Sequence, residues 1–245
     1  EDLTKRAWEI FRQVQEKRPL VQCITNFVTV NDCANMILAA GGSPSMAHDI
    51  RGAAEAAAAA SALVCNLGAI GDTDAMEAAG KAANLLGIPV VFGPGAAGGT
   101  SLRRAEAARL MRAVHFSVIR GNASEIRFLA GEQSSGSGVD AGMFDEITEE
   151  NLSAAIGIVK GLAEKTGSVI AVSGRLDLIS DSRRTAVLRN GSPVMARITG
   201  SGCMLTALTG AFCGACQKDC FTAAFAASAV MGVCGELADA KRLER

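Results

Sequence analysis

Short apolar runs of strand type alternate with longer helical patterns along most of the 245 residues, and this alternation limits the possible folds more than any other feature. Runs at 20–25, 63–67, 88–92, 116–119 and 169–172 are too short and too uniformly apolar to show in-out alternation, as expected of parallel strands covered on both faces. Helical patterns at 3–17, 31–40, 52–62, 72–86, 101–113 and 151–165 fill the gaps and are long enough for crossover connections. Within them, the alanine-rich 53–60 stretch reads as a thin packing helix. Residues 176–180 and 185–189, separated by Asp181-Ser182-Arg183-Arg184, read as an antiparallel hairpin added to the sheet and followed by an Asn190-Gly191 turn. The expectation is an α/β chain: a central, mostly parallel sheet with helices on both faces, one domain over residues 1–245, and no internal repeat. A low-complexity patch from Gln133 to Gly138 reads as a surface loop.

Composition narrows the partners. With 24 basic and 25 acidic side chains the net charge is −1, too weak a field to draw in nucleic acid or an anionic membrane. The chain is 49% hydrophobic but only 4% aromatic, with 27 glycines, so its core is built from aliphatic side chains and close backbone approaches. Most of the eight cysteines sit in apolar segments, which points to reduced thiols, and Glu1-Asp2-Leu3-Thr4-Lys5-Arg6 carries no secretory pattern; cytoplasm is the expected compartment. The uncharged run 198–217 has the length of a membrane span, but its polar, glycine-containing start reads as a loop leading into a buried helix.

Four motifs are candidates for chemistry. Gly93-Pro94-Gly95-Ala96-Ala97-Gly98 has the spacing of a dinucleotide fingerprint, yet it is not in the first βα unit and Pro94 has no N–H for a pyrophosphate. It also fails as a phosphate loop of Walker type, because Gly99 stands where the lysine belongs. Thr199-Gly200-Ser201-Gly202-Cys203 opens the apolar stretch 204–216, and a glycine loop at a helix N-terminus offers free N–H groups and a positive dipole end to a phosphate. Cys203 in that field is a candidate base or nucleophile, against the plainer reading of a tight turn with a small buried thiol. Cys213, Cys216 and Cys220 share one face if they lie on one helix, which suits core packing better than a metal site with no fourth cysteine. Polar groups gather at strand ends in Thr25-Asn26, in Met46 to Asp49, and in Arg120 to Glu125, where open α/β sheets bind ligands; Asn122 and Glu125 equally suit a capping pair.

Taken in order, Val21-Gln22-Cys23-Ile24-Thr25-Asn26, Gly42-Ser43-Pro44-Ser45-Met46-Ala47-His48, Ile119-Arg120-Gly121-Asn122-Ala123-Ser124-Glu125 and Ile198-Thr199-Gly200-Ser201-Gly202-Cys203-Met204-Leu205-Thr206-Ala207 resemble the hydroxyethylthiazole kinases of thiamine salvage, within the ribokinase-like superfamily. The resemblance covers nearly the whole chain. It implies a three-layer ribokinase-like fold, a homotrimer, and Mg²⁺-dependent transfer of the γ-phosphoryl of ATP to the primary alcohol of 4-methyl-5-(2-hydroxyethyl)thiazole. It further implies that Met46, Gly200 and Asn26 bind the thiazole, that Arg120, Ser173 and Gly202 bind ATP, that Glu125 holds the metal or its waters, and that Cys203 stands where the superfamily places its base. Where the family usually reads Asp-Pro-Val-Gly, this chain reads Gly93-Pro94-Gly95-Ala96, so one carboxylate expected near the metal is missing. That departure leaves two alternatives: a thiazole- and nucleotide-binding homologue with impaired chemistry, and a nicotinamide oxidoreductase using Gly93 to Gly98.

Overall fold

The computed structural model describes residues 2–131 and 146–244; the patch from Gln133 to Gly138 lies outside the described residues. The chain enters through α1 (Leu3–Lys17), whose N-cap Asp2 accepts hydrogen bonds from the Thr4 and Lys5 N–H groups. It continues through β1 (Leu20–Ile24), α2 (Val30–Ala40), β2 (Ser43–Ser45), α3 (Ala53–Ala58), β3 (Ala62–Asn66), α4 (Thr73–Leu85), β4 (Val90–Gly93), α5 (Ser101–Ala113), β5 (Val118–Asn122) and α6 (Ala123–Ala130). After the gap in description come α7 (Leu152–Thr166), β6 (Val169–Ser173), β7 (Asp177–Ser180), β8 (Thr185–Leu188), α8 (Ser201–Ala215) and α9 (Cys220–Leu243).

The strands form one sheet in the order β2-β1-β3-β4-β5-β6-β7-β8. Pairings from β2 through β6 are parallel, while β6–β7 and β7–β8 are antiparallel, so the appended hairpin is where the sequence places it. Alternate strand residues feed two apolar layers. Ile24, Leu63, Phe92, Ile119 and Ile170 pack with α3 to α7, and Val21, Val64, Val91 and Val118 pack with α1, α2, α8 and α9. The result is the three-layer arrangement. Each large side chain in these layers contributes about 1.5–3 kcal/mol on burial, and the Phe92 and Phe116 rings stack at 4.5 Å. Helix α8 lies close on the sheet: a Cβ on Gly210 would lie 2.5 Å from Val64 Cγ2, so only glycine lets this helix lie against β3.

Two elements lie outside the sequence expectation. Strand β2 is Ser43-Pro44-Ser45, polar and interrupted by proline, which only a sheet edge tolerates. Helix α9 is 24 residues long and apolar enough by composition to span a membrane, but over half of its apolar window is buried, with α1 and α8 among the helices packed on it. Its N-terminal half is buried on nearly every side and shows no amphipathic period. The cysteine spacing needs correction as well: Cys216 ends α8 and Cys220 opens α9, so the three thiols do not share one helical face.

Candidate active site

Parallel strands all point their C-terminal ends at one edge, where Asn26 follows β1 and Asn66, Gly93, Asn122 and Ser173 end β3, β4, β5 and β6. The N-terminus of α8 meets them there. Gly200 is its N-cap, in the left-handed region at φ +79°, and a Cβ on it would lie 2.2 Å from Thr29 Cγ2. Gly202 has ordinary φ, but a Cβ there would lie 2.8 Å from Arg120 Nη1. The glycines of this loop therefore admit protein groups, Thr29 and Arg120, as well as leaving backbone open to a ligand.

Those two neighbours organise the site. Thr29 donates twice to Asn26 Oδ1, from its N–H and from its hydroxyl, both at 3.1 Å. With its oxygen held, the Asn26 amide turns Nδ2 to Cys203 Sγ at 3.4 Å. Arg120 extends from β5 and donates from Nη1 to the Gly202 carbonyl at 2.8 Å and from Nη2 to Ser173 Oγ, while its buried Nε has no hydrogen-bond partner. Burial pulls its guanidinium below the ordinary range, opposed by Glu125, Asp177 and Cys203 nearby. Asp177, at the start of β7, is pushed up to about 6 by burial, against the pull of the Gly174 N–H at 3.0 Å and of Arg120.

Glu125 is fixed by both oxygens. Oε1 accepts from the Ala96 N–H and Oε2 from the Asn122 N–H, each at 2.9 Å, and Asn122 Oδ1 accepts from the Glu125 N–H, so the capping pair read from sequence is present. The Gly93-to-Gly98 loop is braced internally. Ala96 N–H serves Glu125, the Ala97 and Gly99 N–H groups serve the Pro94 and Ala96 carbonyls, and Arg103 and Arg104 hold the Gly95 and Gly98 carbonyls. Three N–H groups of this stretch are thus already committed and Pro94 has none, so the nicotinamide alternative is not favoured. A side chain at position 93 would reach towards Thr206 Oγ1, 3.4 Å from its Cβ, and Asn66.

Of the residues singled out from sequence, Cys203, Asn26 and Gly200 meet through Thr29, and Arg120, Ser173 and Gly202 meet directly, with Glu125 one capping turn away. Met46 stands apart from this network, on the loop that follows edge strand β2. Thr29, Asn66 and Asp177 escaped the sequence reading. Asn66 donates to Thr25 Oγ1 at 3.1 Å and accepts from the Gly68 N–H at 2.9 Å, shaping the β3 end. Only its place at a strand's carboxyl end could have flagged it.

The pattern of the hydroxyethylthiazole kinase family matches residues 11–245. A hydroxyethylthiazole kinase of Clostridium beijerinckii is 44% identical over 239 residues, 97% of this chain and 86% of that one. The corresponding protein of Desulfovibrio desulfuricans is 45% identical over 232 residues, 94% of this chain and 81% of that one. A solved hydroxyethylthiazole kinase structure from Pyrococcus horikoshii superimposes with a TM-score of 0.80 at 36% identity, covering 91% of this chain and 81% of that one. Bacillus subtilis pyridoxal kinase, at TM-score 0.57 and 16% identity over 85% of this chain and 88% of that one, shares the fold alone. Ordered motifs, sheet topology and these similarities agree: this chain belongs to the hydroxyethylthiazole kinase family.

Proposed function

We infer that this chain, acting as one kinase domain over residues 1–245, transfers the γ-phosphoryl of ATP to the primary alcohol of 4-methyl-5-(2-hydroxyethyl)thiazole. The observation that carries the reading is the meeting of Arg120, Ser173 and the α8 N-terminus beside Cys203. Phosphoryl transfer asks mainly for positioning and for positive potential where charge gathers, and a helix N-terminus with a held guanidinium supplies both. Arg120, Ser173 and Gly202 serve the nucleotide phosphates. Met46, Gly200 and Asn26 serve the thiazole. Cys203, entering as its thiolate with Asn26 Nδ2 donating to the sulfur, takes the hydroxyl proton and becomes the thiol as the alcohol oxygen bonds to the γ-phosphorus and the bond from that phosphorus to the ADP oxygen breaks.

The donor set suits a magnesium ion that keeps its water. Among the described residues no group of three or more His, Cys, Asp or Glu side chains is arranged to hold a metal ion, and Glu125 offers one carboxylate whose two oxygens are already oriented by backbone N–H groups. Mg²⁺ is commonly held by one or two carboxylates plus phosphate oxygens and waters. Glu125 would hold its waters, and the ion would neutralise charge between the phosphates. Exposed Phe27, Val28, Ile50 and Ile198 flank the residues assigned to the thiazole, which supports an oligomer that covers them, taken as the homotrimer that the family resemblance implies. All eight cysteines are free thiols, which supports a cytoplasmic setting. Coupled ADP release tests the reading: turnover should depend on the thiazole alcohol and exceed that with pyridoxal or a pyrimidine alcohol. ADP release indifferent to the alcohol would overturn it, and sedimentation of a monomer at micromolar concentration would overturn the trimer.

A further inference from the structure

Gln22 sits in the middle of β1 and is fully buried. Its neighbours Val21 and Cys23 face the layer of α1, α2, α8 and α9, so by strand alternation Gln22 faces the opposite layer with Ile24. There its Nε2 donates to the carbonyl of Ala47, while Oε1 is buried with no hydrogen-bond partner. A buried amide with one end unsatisfied is destabilising relative to an apolar residue of the same shape. What the bond does is fasten an otherwise irregular loop, 46–52, to the floor of the sheet. Met46 is the residue next to the fastened carbonyl, and its side chain packs against the other layer.

We propose that Gln22 is a positioning residue for the acceptor alcohol: it clamps the backbone at Ala47 and so fixes where Met46 meets the substrate. This rests on the reading that Met46 contacts the thiazole. A clamp of this kind acts on acceptor binding and leaves the phosphate site, on β5, β6 and α8, untouched. Replacing Gln22→Met, with Gln22→Leu as a second variant, keeps the volume and removes the unsatisfied oxygen. The variants should melt no lower than the wild-type protein and raise KM for the thiazole alcohol about tenfold, with kcat and KM for ATP within about twofold. Amide hydrogen exchange across 46–52 should quicken in both variants. Unchanged alcohol KM and unchanged exchange would overturn the proposal. Met46→Ala, measured in parallel, separates the two claims. If Met46→Ala raises the alcohol KM and neither Gln22 variant does, the clamp is wrong; if Met46→Ala has no effect, the placement of the thiazole fails and the clamp's link to substrate fails with it.

Discussion

At the scale of single residues, the site turns on which atom of each side chain is already spoken for. Thr29 holds the Asn26 oxygen, so the amide nitrogen is the end presented to Cys203. If Cys203 accepts the alcohol proton, Cys203→Ser should lower kcat between tenfold and a hundredfold with little change in either KM, a modest loss because a dissociative transfer leans less on its base than on positioning. Initial rates across pH check this, and full activity at every pH would leave only the backbone of that loop with a role. Ala96 is the second such residue. It sits at φ +52°, where an L side chain is strained, and its N–H orients Glu125. Ala96→Gly should relieve that strain and raise stability by up to about 1 kcal/mol, less whatever the extra freedom of glycine in the unfolded chain takes back. Chemical denaturation checks it.

Elements show where sequence was legible and where it was not. The inner parallel strands β1, β3, β4, β5 and β6 were visible because strands buried on both faces are uniformly apolar, and the Asn122–Glu125 cap was visible because the contact it makes lies three residues away in sequence. Strand β2 was hidden by its serines and proline, and α9 by burial on nearly every side of its first half. Strand ends and the glycine loop pointed to one edge of the sheet, and the structure gathers them there, but the partners that explain the glycines did not show. Thr29 lies 171 positions before Gly200 and Arg120 lies 82 before Gly202, and only topology brings such pairs together. The expected reason for these glycines, access for an anion, is therefore incomplete. Gly200→Ala should be disruptive on two grounds, since its φ is left-handed and its Cβ would occupy the Thr29 methyl. We expect a loss of roughly 2–4 kcal/mol in stability or, if the loop yields instead, loss of activity with the fold intact. Circular dichroism melts beside initial rates distinguish the two, and a variant unchanged in both would contradict the packing described.

For the whole molecule, one buried acid ties stability to pH. Asp177 in the folded chain titrates near 6, above its ordinary 3.8. A raised folded value means that its contribution is fully present below pH 3.8 and is lost as the pH rises through 6. Asp177→Asn has no such loss, so its stability relative to the wild-type protein should grow between pH 3.5 and 7 by up to about 3 kcal/mol, as denaturant unfolding at the two pH values would show. No growth would mean that Arg120 and the Gly174 N–H offset the burial in full. Charge elsewhere is nearly balanced, and positive potential is needed only where α8 begins and Arg120 reaches it. Both lie at the sheet edge to which the proposed function assigns the γ-phosphoryl group. The direct measurement is transfer of label from γ-³²P-ATP to the thiazole alcohol in the presence of Mg²⁺. The arrangement of Arg120, Ser173, Gly202 and Cys203 requires one labelled phosphate ester per ADP released; label recovered only as inorganic phosphate, at a rate indifferent to the alcohol, would contradict it.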